Sequence, residues 1–311
     1  MLNELLNIRY PIIQGAMANI SDGRFAACVS NAGGLGIIAT GSMNDEQARK
    51  EIQLCKSLTS NPFGVNVMLM NPYKEAIIDV IIDEKVAVVT TGAGNPGPYM
   101  KRLLAAGIKV FPVVPSVALA KRMERLGACG VIAEGGESGG HVGEQTTMAL
   151  LPQVVDAVSI PVIAAGGIGD GRGMLAAYVL GASGVQIGTS LLVAKECPIH
   201  ENYKMAVVKA KDTDTVVTGR SVNTPVRILK NQMAREYLKM EGHIESREEL
   251  EMLTLGALRK AVLDGDIKRG SVMMGQIAGM VKEIRPMQEI LDNIMEGFYQ
   301  AYQNLTNRME K

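Results

Sequence analysis

IPVIAAGGIGDG, residues 160–171, and GVQIGTSLL, residues 184–192, decide the fold. Each opens as a short apolar run and ends in small residues, the pattern of a strand buried on both faces that runs into a glycine turn. The same pattern recurs upstream at Pro11–Gln14, Gly36–Ala39, Gly64–Leu69, Ala87–Thr91, Lys109–Val114 and Gly130–Glu134. With Val162–Ala165 and Gly184–Ile187 these complete an eightfold series. Their starts lie roughly 20 to 30 residues apart, a spacing that suits βα units rather than hairpins. Between them Met43–Ser57, Tyr73–Ile82, Pro98–Ala106 and Ser116–Leu126 mix charged and apolar residues at helical spacing. A doubly wound sheet would also alternate strands with helices, but eight units rich in glycine at the strand ends favour an α/β (β/α)₈ barrel.

The 311 residues exceed the about 250 that such a barrel commonly fills. After Lys195 the strand pattern stops. Tyr203–Ala210, Pro225–Met240 and Arg247–Leu263 read as helices, so a small helical cap is expected after the eighth strand. The expected organisation is a barrel over 1–197, a cap over 198–269 and a segment over 270–311 that returns to the barrel. In Pro286–Met309 a closing helix would present Met287, Ile290, Leu291, Ile294, Phe298, Tyr302 and Leu305 on one face.

Hydrophobic residues form 47% of the chain and charged ones 21%, values of a folded globular protein. Lys plus Arg, at 32, balances Asp plus Glu, at 32, so no global field gathers nucleic acid or an anionic membrane. Cys28, Cys55, Cys129 and Cys197 lie far apart without metal-ligand spacing, and no carboxylate cluster predicts a divalent metal site. Reduced thiols, no signal-like apolar run and no spanning segment make a cytoplasmic location the expectation.

In a barrel of this kind the active site lies where strands end, and the glycines gather there. Gly166-Gly167 follows the seventh strand and Gly188-Thr189 the eighth. Backbone free of side chains lets amide N–H groups approach phosphate oxygens, and a helix N-terminus adds partial positive charge, so the adjacent loops can share one phosphate. The plain structural reading, tight βα turns, accounts for either loop alone but less well for the pair. Gln14-Gly15-Ala16-Met17 ends the first strand with small residues on which a flat ring could lie. Asn66 after the third carries an amide that suits a pyrimidine edge or a simple strand cap. The loop Glu134-Gly135-Gly136-Glu137-Ser138-Gly139-Gly140-His141-Val142-Gly143 follows the sixth strand and brings one imidazole to the mouth. There His141 can take or give a proton near neutral pH. His200 and His243 read as structural or merely exposed. The 19 Met residues can line an acyl pocket, but filling an aromatic-poor core is their commoner use.

With these residues quoted, the chain resembles the FMN-dependent enoyl-acyl-carrier-protein reductase II enzymes of bacterial fatty-acid synthesis, within the wider nitronate monooxygenase-like family. YPIIQGAM, NAGGLGII, PFGVNVML, VVTTGAGNP, VPSVALAKRME, EGGESGGHVG, IPVIAAGGIGDG, VQIGTSLLVAKE and GSVMMGQIAGMV look like that group's segments in its order, and GAGNP and GSVMMGQIAG look more like the reductase branch. The resemblance implies FMN phosphate at Gly166-Gly167 and Gly188-Thr189. It implies flavin contacts at Gly15, Ala16, Met17, Asn66, Glu134, Ser138, Gly139 and Gln186, with His141 catalytic. It further implies reduction of a trans-2-enoyl thioester on acyl carrier protein by NADH or NADPH, through ping-pong hydride transfer at flavin N5. A homodimer and stimulation by potassium or ammonium would come with it.

The same loops serve nitronate oxidation with oxygen, which is the alternative activity, and a non-catalytic phospholigand-binding barrel would share the glycines. Lys204, Lys209, Lys211, Arg220, Arg227 and Lys230 on the cap could form a basic docking face for acyl carrier protein, or simply a solvated helix face.

Overall fold

The computed structural model describes residues 2–242 and 247–310, so His243 lies outside the described residues. The strands in chain order are β1 Ile12–Gln14, β2 Gly36–Ala39, β3 Phe63–Met68, β4 Val88–Gly92, β5 Lys109–Val114, β6 Val131–Glu134, β7 Gly140–His141, β8 Val162–Ala165, β9 Gly184–Ile187, β10 Thr215–Thr218 and β11 Val226–Leu229. Eight of them form one parallel sheet in the order β1-β9-β8-β6-β5-β4-β3-β2. Ile13 bridges Leu35 in parallel, with Gln14 N donating to Leu35 O and Leu35 N to Ile12 O, both at 2.9 Å. These bonds join β1 to the start of β2 and close the sheet, so the expected (β/α)₈ barrel is what forms.

The helices are α1 Leu2–Leu6, α2 Gly23–Asn31, α3 Asp45–Leu58, α4 Lys74–Asp83, α5 Gly97–Ala105, α6 Val117–Arg125, α7 Thr147–Val155, α8 Gly171–Val179, α9 Glu201–Lys209, α10 Gln232–Glu241, α11 Arg247–Thr254, α12 Ala257–Arg259 and α13 Met287–Met309. Alternating strand positions build two cores, as the period of two requires. Ile13, Ile37, Val88, Phe111, Ile132 and Ile163 pack together with Leu2 and Leu6, so α1 joins the barrel's inner core. Ile12, Ile38, Val65, Val89, Val110 and Val185 belong to the larger core shared with the surrounding helices.

The segment after β9 departs from the purely helical expectation. Pro225–Met240 is a strand followed by a helix, because β11 pairs antiparallel with β10 and with β7. Arg247–Leu263 divides into α11, α12 and a π-helical turn at Lys260–Asp264, broken by Gly256 with φ +70°. In α13 the first half of the expected face is buried, but Tyr302 and Leu305 are 57% and 42% exposed. The helix extends past α8, its main neighbour. Among the described residues no helix is long and apolar enough to cross a membrane.

Candidate active site

β8 and β9 end level with each other because Ala165 pairs with Gln186, and β1 joins them through Ile13 opposite Gln186. That register places Gly166-Gly167 beside Gly188-Thr189. Gly166 and Gly167 have φ of +87° and +72°, the left-handed region that a side chain resists. A Cβ on Gly166 would also lie 2.7 Å from Gly135 O. Among the described residues the amides of Gly167, Gly188 and Thr189 donate to no protein acceptor, so they are free to meet an anion. The N-terminus of α8 is not: the Asp170 carboxylate accepts from Arg172 N at 3.0 Å and Gly173 N at 3.2 Å. The helix contribution expected from the sequence is therefore taken by a side chain, whereas the 3₁₀ turn Thr189–Val193 starts without any side-chain cap.

Gly15 N donates to Ile187 O at 2.7 Å, which holds Gly15-Ala16-Met17 against the end of β9. Met17 Sδ lies 3.8 Å from where a Cβ on Gly188 would stand. Gln14 is fully buried and structural, its amide bonded to Ser21 Oγ and Ile37 N. Gln186 is buried between Ile13 and Ala165. Asn66 lies inside β3 rather than after it, opposite Ala39 and Thr90, and its Nδ2 donates to Thr90 Oγ1 at 2.9 Å.

Glu134 ends β6 opposite Ala165. Its surface is only partly accessible, and loss of hydration raises its carboxyl pKa to about 7, partly offset by the facing Ser138 hydroxyl. Ser138 Oγ is itself buried and completes no hydrogen bond of good geometry. A carboxyl and an orphaned hydroxyl at a strand end mark a place for a polar ligand edge. Gly139 passes so close to the returning chain that a Cβ would lie 2.7 Å from Met274 C.

His141 lies in β7 just after Gly140, whose φ is +78°. Its side chain keeps solvent exposure, yet the protein around the ring penalises the imidazolium and lowers its pKa below the ordinary histidine value. The surroundings therefore favour the uncharged imidazole.

Residues that the sequence reading did not single out hold this loop. The Glu137 carboxylate accepts from Thr147 N at 2.9 Å and Thr147 Oγ1 at 2.9 Å, and Glu137 O accepts from Gln276 N at 2.9 Å. Thr189 Oγ1 accepts from the buried Gly275 N at 2.8 Å. Arg227, on β11, donates to Gly136 O through Nε at 3.2 Å and Nη2 at 2.8 Å. A β-branched run at Thr215–Thr218, turn residues Gly219, Asn223 and Pro225, and a second run at Val226–Leu229 were the available signal for that hairpin. Of the six basic residues considered for docking, Lys204 and Arg227 are buried and cannot serve; Lys204 Nζ donates to Lys195 O at 3.0 Å. Lys209, Lys211, Arg220 and Lys230 are exposed. A cavity of about 610 Å³ lies between α8 and α13, lined by Met148, Val179 and Leu305 among others, and none of the mouth glycines above lines it.

The family model described as nitronate monooxygenase matches residues 1–79 and 72–297. A probable nitronate monooxygenase of Staphylococcus aureus (strain MRSA252) is 35% identical over 97% of this chain and 98% of its own. Among solved structures, FabK from Thermotoga maritima superposes with a TM-score of 0.96 at 47% identity, covering 99% of this chain and 98% of that one. A nitroalkane oxidase from Streptomyces ansochromogenes gives 0.88 at 28% identity, covering 98% and 99%.

Proposed function

The chain belongs to the nitronate monooxygenase family, and from that premise we propose that it is an FMN-dependent reductase of trans-2-enoyl thioesters on acyl carrier protein, driven by NADH or NADPH. The observation that carries the choice is the 47% identity with FabK over nearly the full chain, against 28% with the nitroalkane oxidase and 35% with the staphylococcal relative. It agrees with the resemblance of GAGNP and GSVMMGQIAG to the reductase branch.

The residues fit FMN. Gly166-Gly167 and Gly188-Thr189 offer unpaired amides to its phosphate. Gly15, Ala16, Met17, Asn66, Gln186, Glu134, Ser138 and Gly139 would hold the ring, with the orphaned Ser138 hydroxyl as the clearest polar donor waiting for a partner. When bound, FMN supplies two-electron hydride acceptance and donation. Reduction of the enoyl group at Cβ puts negative charge on the thioester oxygen and leaves Cα needing a proton. His141, whose surroundings favour the uncharged imidazole, would donate an N–H hydrogen bond to that oxygen. In that state it must gain a proton before it can act as an acid. The exposed Lys209, Lys211, Arg220 and Lys230 suit an acidic carrier.

Purified protein should be yellow, bleach anaerobically with NADH or NADPH, and regain colour with crotonyl thioester. A flavin that neither nicotinamide bleaches would exclude the reductase reading and leave nitronate oxidation, which the family model favours, to be tested by oxygen uptake with an alkyl nitronate.

A further inference from the structure

Arg227 is 9% exposed, and among the described residues no carboxylate lies within ion-pair distance of it. Its guanidinium meets only neutral acceptors, the Gly136 carbonyl through two nitrogens and Thr215 Oγ1 through the third at 3.2 Å. Burial opposes its charge, Glu137 favours it through space and Arg220 repels it. An unpaired buried charge is expensive to keep, and an apolar side chain would serve packing alone at least as well. The two bonds to one carbonyl are the specific feature, a geometry that only the arginine fork provides.

The backbone around this side chain explains what the fork can do. Arg227 pairs with Gly140, Val226 pairs with His141, and Val142 N donates to Pro225 O at 3.1 Å, so β11 runs along the imidazole's own segment. Farther along the same edge β11 is held by the Ile228–Met273 bridge and by Leu229 N donating to Val272 O at 2.8 Å, and its other edge pairs with β10. A two-residue strand such as β7 holds its register weakly, and a slip by one residue would turn His141 to the opposite face. The fork grips the loop four residues before Gly140, at Gly136, from the same strand that pairs with Gly140.

We propose that Arg227 is a positioning residue: by clasping the Gly136 carbonyl from β11, it fixes the β7–β11 register and so the direction of the His141 imidazole. It acts through His141 and touches no reactant. For its substrate the inference rests on the enoyl-reductase reading, but the clasp can be tested without it.

The test uses the full-length flavoprotein with Arg227→Lys, Arg227→Met, His141→Ala and the double variants. Arg227→Lys keeps the charge and loses the fork, while Arg227→Met keeps much of the packing. Both should retain flavin, and nicotinamide should bleach them within about twofold of the wild-type rate. Reoxidation by crotonyl thioester should fall about 10- to 100-fold, the scale of an ångström's misplacement. In the His141→Ala background either Arg227 substitution should add less than about twofold, because both changes remove one unit. Amide exchange at Val142 should accelerate at least about tenfold in both Arg227 variants. Unchanged exchange at Val142, loss of flavin, equal slowing of both half-reactions, or losses that multiply with His141→Ala would overturn the proposal. If crotonyl thioester fails to reoxidise even the wild type, the reductase reading fails; the cycle is then read on nitronate oxidation, and exchange at Val142 still decides the clasp.

Discussion

Glu134 shows how one residue at a strand end carries a pH signature. Loss of hydration pushes its carboxyl pKa up to about 7 from the ordinary 4.5. Between these values the flavin-free folded state holds a proton that the unfolded chain releases. The associated stability is thus complete below about pH 4.5 and is lost as pH rises through 7. Glu134→Gln removes the ionisation and should leave the flavin-free protein nearly unchanged at pH 4. At pH 8 it should stabilise by about 1–3 kcal/mol, less than the full shift implies because the group is partly exposed and faced by Ser138. Urea unfolding at the two pH values measures the difference, and an equal effect at both would mean that the carboxyl is not desolvated. His141 has the opposite sign. Its lowered pKa means that the unfolded chain binds the proton more readily, so its share of stability is lost as pH falls below the ordinary histidine value.

At the scale of elements, the two glycine loops proposed to hold phosphate separate backbone need from ligand need. Gly166→Ala meets both a φ of +87° and a Cβ placed 2.7 Å from Gly135 O, and should destabilise the fold by about 1–3 kcal/mol with or without flavin. Gly188 has φ −129°, and its nearest neighbour for a new Cβ is Met17 Sδ at 3.8 Å. Gly188→Ala should therefore keep flavin-free stability within about 0.5 kcal/mol, while FMN affinity falls at least about tenfold if the cofactor packs there. Fluorescence titration with FMN beside thermal melts reads both; unchanged affinity would remove Gly188 from the site. These loops were legible in the sequence because each element is local: a strand, its glycines and the next helix are contiguous. The cap sheet was legible only in part: the β-branched runs of its β10–β11 hairpin are local, but β7 is two residues long and gains strand character only by pairing with β11, many residues later. Arg227 and Glu137 were missed for the same reason. Their partners are chosen by tertiary register, and composition alone made Arg227 look like a surface cation.

On the scale of the whole molecule, the barrel beside the Gly166-Gly167 loop is braced by a helix from the far end of the chain. Tyr10 Oη donates to Asp292 Oδ1 at 2.6 Å, tying α13 to the entry of β1, and Gly171 and Gly297 let α8 and α13 cross closely. These two touching glycines should respond with opposite signs. A Cβ on Gly171 would stand 2.0 Å from Phe298 N and 2.2 Å from Gly297 C, backbone atoms that cannot move without parting the helices. A Cβ on Gly297 meets nothing nearer than 3.6 Å, and alanine there gains helix propensity inside α13. Gly171→Ala should accordingly destabilise by about 1–3 kcal/mol or more and weaken FMN binding, because Gly171 directly follows the loop that holds Gly166-Gly167. Gly297→Ala should stabilise by about 0.5–1 kcal/mol and leave FMN binding unchanged. Urea midpoints and FMN titrations of both variants check the pair. If Gly297→Ala destabilised as much as Gly171→Ala, the crossing would be tighter on the α13 side than the structure has it; if Gly171→Ala lost stability but bound FMN normally, the brace would support the fold without setting the phosphate loop.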